Sequence, residues 1–177
     1  MSYKRWNFIA IFLFGIGLVI GLVAPANLTS MAILEKFSDL LSPFSLITAM
    51  FIFIKNASAL LLSFVLSPIF CFVPILALTV NGWLLAIVSA KVIQEKSLGY
   101  ILAGLLPHGI FELPALILGE AAALSFGTMV MLSLFKKEGR KLMPSLFKQN
   151  LRYLMLALAL LLPAAIIETY ITPLLLS

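Results

Sequence analysis

The sequence predicts an all-α fold, a polytopic transmembrane bundle of about five crossings, with an interfacial amphipathic helix and a broken or re-entrant segment around Pro107-His108-Gly109. Three observations carry this prediction. Hydrophobic residues make up 63% of the 177-residue chain and charged residues 11%, against about 45–50% and about 25% in soluble domains. Long apolar runs recur along the chain, and each crossing of a bilayer needs about 20 such residues. Finally, six of the twelve basic residues fall in one stretch between two apolar runs, which is how short loops set membrane orientation. The length suits one bundle, so residues 1–177 are expected to form a single transmembrane domain.

The same arrangement turns the net charge of +5 away from nucleic acid, since the bases sit where topology needs them. Cys71 is the sole cysteine and lies in an apolar run, so neither an intramolecular disulfide nor a thiolate metal site is available.

Trp6–Ala24 is apolar and follows Lys4-Arg5, the pattern of a first transmembrane helix with a cytoplasmic N-terminus. Ala24-Pro25-Ala26 resembles a small-residue cleavage site, but the length of the run favours a retained anchor. Gly17 and Gly21 form a GxxxG step suited to close helix contact. Over Ser30–Ser42, Ile33, Leu34, Phe37, Leu40 and Leu41 share one helical face, opposite Glu35, Lys36, Ser38 and Asp39. That pattern predicts a helix lying in the interface.

Phe44–Ile54 is apolar and ends at Lys55-Asn56. A span over Phe44–Leu66 would sink Lys55 in mid-membrane at roughly 2.5–3.5 kcal/mol, so the crossing is placed at Ala57–Leu78, with kinks at Pro68 and Pro74. Asn81-Gly82 reads as a turn. Trp83–Ile93 reads as a short crossing that closes near Lys91, Glu95 and Lys96.

Pro107 and Pro114 interrupt Leu98–Phe135. Each proline lacks an amide donor, and such breaks persist at membrane depth only where protein or water satisfies the backbone. Leu98–Leu106 is therefore read as a re-entrant half-helix, Pro107–Glu112 as its turn and Leu113–Phe135 as a crossing. Lys136, Lys137, Arg140, Lys141, Lys148 and Arg152, opposed only by Glu138, should be cytoplasmic, with the topological role ahead of contact with anionic lipid or a partner. The last crossing runs from Leu151 to about Tyr170.

Asn81, His108, Glu112, Glu120 and Glu168 are the polar groups expected at membrane depth, where charge is costly and marks a functional site by default. Structural pairing competes with that reading, because Glu112 and His108 could simply satisfy one another. A helical local backbone would put both on one face, whereas Pro107, Gly109 and Pro114 suit a distorted turn equally well; in either case they are expected to point inward towards Asn81 and Glu168. No His-Glu-x-x-His pair, nucleophile elbow or Walker motif is present, so no metal, cofactor or catalysis of its own is expected, and any ATP chemistry would belong to a separate subunit. Asn27-Leu28-Thr29 and Asn56-Ala57-Ser58 match the glycosylation pattern but receive no function.

Pro107-His108-Gly109-Ile110-Phe111-Glu112-Leu113-Pro114-Ala115 resembles the signature of the stage II sporulation protein M family. Lys55-Asn56, Asn81-Gly82, Gly127, Ala164-Ala165-Ile166-Ile167-Glu168 and Thr172-Pro173 follow in the order the resemblance implies, over roughly Phe53–Pro173. Glu120 stands where many relatives are expected to carry a small residue. The resemblance implies a multi-pass protein without established catalysis, whose sporulation member works with peptidoglycan-degrading partners during engulfment. Similar proteins occur in organisms that do not sporulate, including archaea.

These readings together point to a protein of the cell membrane that acts as a scaffold or assembly component for envelope or membrane remodelling partners. Its expected partners are the lipid bilayer, other membrane or envelope proteins and a further copy of itself. The alternative is the transmembrane component of a transporter, with a polar intramembrane site and a separate ATPase subunit.

Overall fold

The computed structural model describes residues 3–23, 44–135 and 137–176, the last range without the side chains of 137–142. The interfacial helix expected at Ser30–Ser42 lies outside the described residues. Those described are helical almost throughout: α1 (Tyr3–Val23), α2 (Leu46–Leu66), α3 (Phe72–Glu95), α4 (Leu98–Phe135) and α5 (Lys137–Ile166), then a π-helical turn at Ile167–Ile171 and a short α6 (Thr172–Leu176). Five stretches, Tyr3–Val23, Leu46–Leu66, Phe72–Glu95, Leu98–Phe135 and Met143–Leu176, are long and apolar enough to cross a membrane. Their outward surfaces fit lipid as solvent. Phe8 is 71% exposed, Val23 79% and Ile47 80%, which water would penalise and hydrocarbon does not.

Among the described residues, five helices are thus able to cross, in line with the expected five, but three boundaries differ from the sequence reading. The crossing placed at Ala57–Leu78 is two helices. The chain leaves α2 at Ser67, whose amide donates to Phe64 O, and reverses through Phe70 and Cys71, both in the left-handed region at φ 51° and 54°. Pro68 therefore lies in the reversal. Pro74 lies in the first turn of α3, where its missing amide has no intrahelical partner to lose, so neither proline kinks a span.

Lys55 consequently sits midway along α2, the placement its desolvation cost argued against. It is exposed there, and it is a charged neighbour of Glu168. An opposite charge close by offsets what an isolated ammonium would cost.

Asn81-Gly82 is not a turn but the interior of α3. The Asn81 amide donates to Ala77 O at 2.7 Å, one turn back, and Gly82 lies against the backbone of Phe14 in α1. The re-entrant segment is likewise absent, because α4 runs unbroken for 38 residues through Pro107 and Pro114. Leaving the helix inside lipid would orphan several backbone groups, whereas each proline removes only one intrahelical bond. Ser97 starts α4, its hydroxyl accepting the Tyr100 amide at 3.1 Å as an N-cap.

Directions follow from side-chain contacts. Gly17 faces Thr79, while Gly21 faces Trp83 and Ala86, so α1 and α3 run parallel. Asn56 meets Glu112, Ser63 meets Glu120, and Gly127 lies against Ser67, so α2 and α4 also run parallel. Phe126 packs on Phe147 and His108 on Thr172, so the C-terminal segment returns antiparallel along α4. Among the described residues, the five long helices α1–α5 thus alternate in direction.

Helix α4 is the axis of the bundle. Ala115, Ala121, Ala122 and Ala123 are fully buried, and Gly119 meets Leu60 of α2. Small residues let helix backbones approach where lipid leaves little hydrophobic gain from association.

Candidate functional site: a polar centre between α2, α4 and the π-turn

His108 and Glu112 lie four residues apart on the inward face of α4, and continuity through Pro107 and Gly109 keeps them in helical register. The His108 Nε2 atom is 3.8 Å from Glu112 Oε2, and its Nδ1 is 3.4 Å from the Thr172 hydroxyl. The other Glu112 oxygen, Oε1, accepts from the Asn56 side-chain amide at 3.3 Å.

Glu168 completes the group from the C-terminal segment. Donor atoms of His108, Glu112 and Glu168 all lie within 4.8 Å of one another. The π-helical turn at Ile167–Ile171 contains Glu168 and closes with the Thr172 amide donating to Ile167 O. One extra residue in a turn rotates everything after it by about 100° relative to a continuing α-helix. This sets the relative facing of Glu168 and Thr172. The Phe44 amide donates to Thr169 O at 3.2 Å and ties the approach to α2 to the same turn.

Two cavities flank the centre. A cavity of about 80 Å³ lies between Glu112 and Glu120, lined also by Asn56, Asn81, Leu60 and Leu116. A larger groove of about 620 Å³ is mostly apolar, runs among α1, α3 and α4, and reaches His108 and Glu112. Asn81, Glu112 and Leu116 line both.

The structure therefore brings together three of the five polar residues selected from sequence: His108, Glu112 and Glu168. Asn81 shares both cavities with Glu112, but its amide is committed to Ala77 O. Glu120 stands apart. It is 1% exposed and takes a hydrogen bond from Ser63 Oγ, eight residues or about 12 Å along α4 from Glu112. Sequence reasoning did not select Asn56, Thr172 or Ser63 as site residues. Lys55-Asn56 and Thr172-Pro173 were visible in the motif order, but the pairing across 56 and 64 positions had no local signal.

In the basic segment, Lys148 and Arg152 are exposed on α5, and the side chains of Lys136, Lys137, Arg140 and Lys141 lie outside the described residues. About 9 Å further along α4 from Glu112, at Leu118, the contacts change character. Tyr3 stacks on Tyr153 at 3.4 Å between ring centroids and donates to Leu118 O at 2.7 Å, pinning the start of α1 to α4 and α5.

Chemically, one imidazole and two carboxylates steadied by an amide and a hydroxyl can hold a proton or a cation. The comparisons cover this whole site. The family model for stage II sporulation protein M matches residues 10–173. The chain is also similar to an uncharacterized protein of Methanocaldococcus jannaschii, 27% identical over 166 residues, which cover 93% of this chain and 92% of that one. No solved structure matches it. With nearly its full length matched and five helices able to cross a bilayer, the chain belongs to the stage II sporulation protein M family of membrane proteins.

Proposed function

We propose that this protein is a scaffold or assembly component of the cell membrane, which engages membrane or envelope proteins involved in remodelling. The observation that carries this reading is the length of the α4–α5 hairpin. At 38 residues α4 is about 57 Å long, against a hydrocarbon thickness of about 30 Å, and even a 40° tilt leaves about 44 Å along the membrane normal. Tyr3 marks the level at which α1 begins, beside Leu118, and α4 continues 17 residues, or about 25 Å, beyond it. The hairpin end carries the basic segment together with Leu134 and Phe135, which are 63% and 80% exposed. By the basic bias of short loops this end is cytoplasmic, on the same side as the N-terminus.

Photo-crosslinking in intact cells tests the proposal, with the reactive residue placed at Phe135 or Lys148 and at lipid-facing Phe8 as control. The expected outcome is discrete protein adducts from the hairpin end and none from Phe8. Lipid adducts alone at all three positions would overturn it, and an adduct of twice the chain mass would identify the partner as a second copy.

The cavity joining Glu112 to Glu120 supports a second reading, a transport component driven by a separate ATPase subunit. Buried carboxylates lining a polar space at membrane depth are the usual marks of an ion or proton path. Proteoliposomes with a proton gradient test it. Leak through the wild type that disappears in Glu112→Gln and Glu120→Gln is expected, and equal leak in all three would refute it.

A further inference from the structure

We propose that His108, Glu112 and Glu168 form a binding site for one divalent first-row transition-metal ion, embedded in the bundle between α4 and the π-turn. For His108 and Glu112 the geometry separates an outer from an inner atom. Thr172 engages His108 Nδ1 and Asn56 engages Glu112 Oε1, while His108 Nε2 and Glu112 Oε2 face each other at 3.8 Å. Holding the outer atom of each ligand is how surrounding groups orient a metal-binding imidazole and carboxylate. Glu168 then brings the third donor within 4.8 Å of both.

An ion about 2.0–2.2 Å from each donor needs those donors roughly 3–3.6 Å apart, so side-chain rotations that shorten the present separations, at most 4.8 Å, by less than about 2 Å close the site. One nitrogen and two carboxylate oxygens suit Zn²⁺, Co²⁺, Mn²⁺ or Fe²⁺. Three protein ligands leave coordination positions for water, and the groove that reaches both His108 and Glu112 provides the space.

Charge supports the same assignment. Glu112 and Glu168 are like-charged neighbours, and the basic group acting on Glu168 is Lys55, whose long side chain is exposed and can withdraw. Lys55 therefore takes the place of a bound cation when none is present, and a divalent ion displaces it. The inference rests on the polar centre rather than on the hairpin. Binding is measured without flux, so a chain that binds the ion but passes no proton would fail the transport reading alone.

Tag-free protein in detergent, stripped with chelator, should bind Co²⁺ saturably at one ion per chain, with a visible absorption spectrum that Zn²⁺ displaces. His108→Asn, Glu112→Gln and Glu168→Gln should each weaken binding at least tenfold. Glu95→Gln, at a carboxylate paired with Lys91 on α3, should leave it unchanged, and Lys55→Met should tighten it severalfold. Zinc-edge X-ray absorption on the wild type needs no variant to fold, and should show one imidazole nitrogen among oxygen donors. No saturable binding, affinity untouched by the three ligand substitutions, or a coordination shell without nitrogen would overturn the proposal.

Discussion

Two helix contacts in this bundle are built on opposite principles. Between α1 and α3 the backbones touch at Gly17, Gly21 and Gly82, where an added Cβ would collide with main-chain atoms. Between α4 and the C-terminal segment near its end, the contact is made by His108, Glu112, Glu168 and Thr172, all of them costly at membrane depth. Lipid rewards close packing of small residues, and the first contact needs no further reason to exist. The second spends desolvation energy that an apolar pair would not, and the proposed metal site would give that cost a use.

The contrast can be broken most forcibly at Gly82. Gly82→Val should separate α1 from α3 and cost about 3 kcal/mol, near the upper end of overpacking penalties, because Phe14 backbone atoms cannot move aside as a side chain would. Thermal unfolding in detergent will show it, and a midpoint equal to wild type would mean that the two helices are not in contact.

A smaller loss is expected at Ser63→Ala, which strips the hydrogen bond from Glu120 while leaving the carboxyl buried. About 1–3 kcal/mol is the usual cost of such an orphaned group. The double variant with Glu120→Gln should lose less than the sum of the two single changes, and strict additivity would argue against their coupling.

Gly15 sharpens the comparison from within α1, since a Cβ there meets nothing within 4 Å. Gly15→Ala should change stability by under about 1 kcal/mol, in the stabilising direction, through the helix preference for alanine. If it proved as damaging as Gly82→Val, helix propensity and not backbone approach would govern α1.

The two contacts were also unequally readable in the sequence. The GxxxG step at Gly17 and Gly21 is local, and it marked a close-packing face before any partner was known. His108 and Glu112 were singled out by their cost at membrane depth, but Pro107–Glu112 was read as a turn, and only the unbroken α4 places them one helical turn apart on one face. Asn56 and Thr172 were not singled out, because a contact 56 or 64 positions away leaves no periodic trace.

The wrong boundaries share one physical cause. Asn81-Gly82, Pro107 and Pro114 carry their turn and break meanings from water, where a freed backbone group finds a solvent partner. Inside lipid it does not, so the helix continues and uses Gly82 for contact and the Asn81 side chain to bond its own turn. Lys55 was moved to a boundary by the cost of an isolated charge, and only the tertiary neighbour Glu168 shows why it can sit midway along α2.

The central claim, that the polar centre serves binding and not folding, is tested most directly by thermal unfolding of the quadruple variant Lys55→Met, His108→Asn, Glu112→Gln, Glu168→Gln. Removing the imidazole, both carboxylates and the neighbouring ammonium together removes desolvation cost along with attraction and leaves no charge unpaired, so the account predicts a midpoint close to that of the wild type. A quadruple variant that unfolds as readily as Gly82→Val would contradict it and make the centre a structural contact.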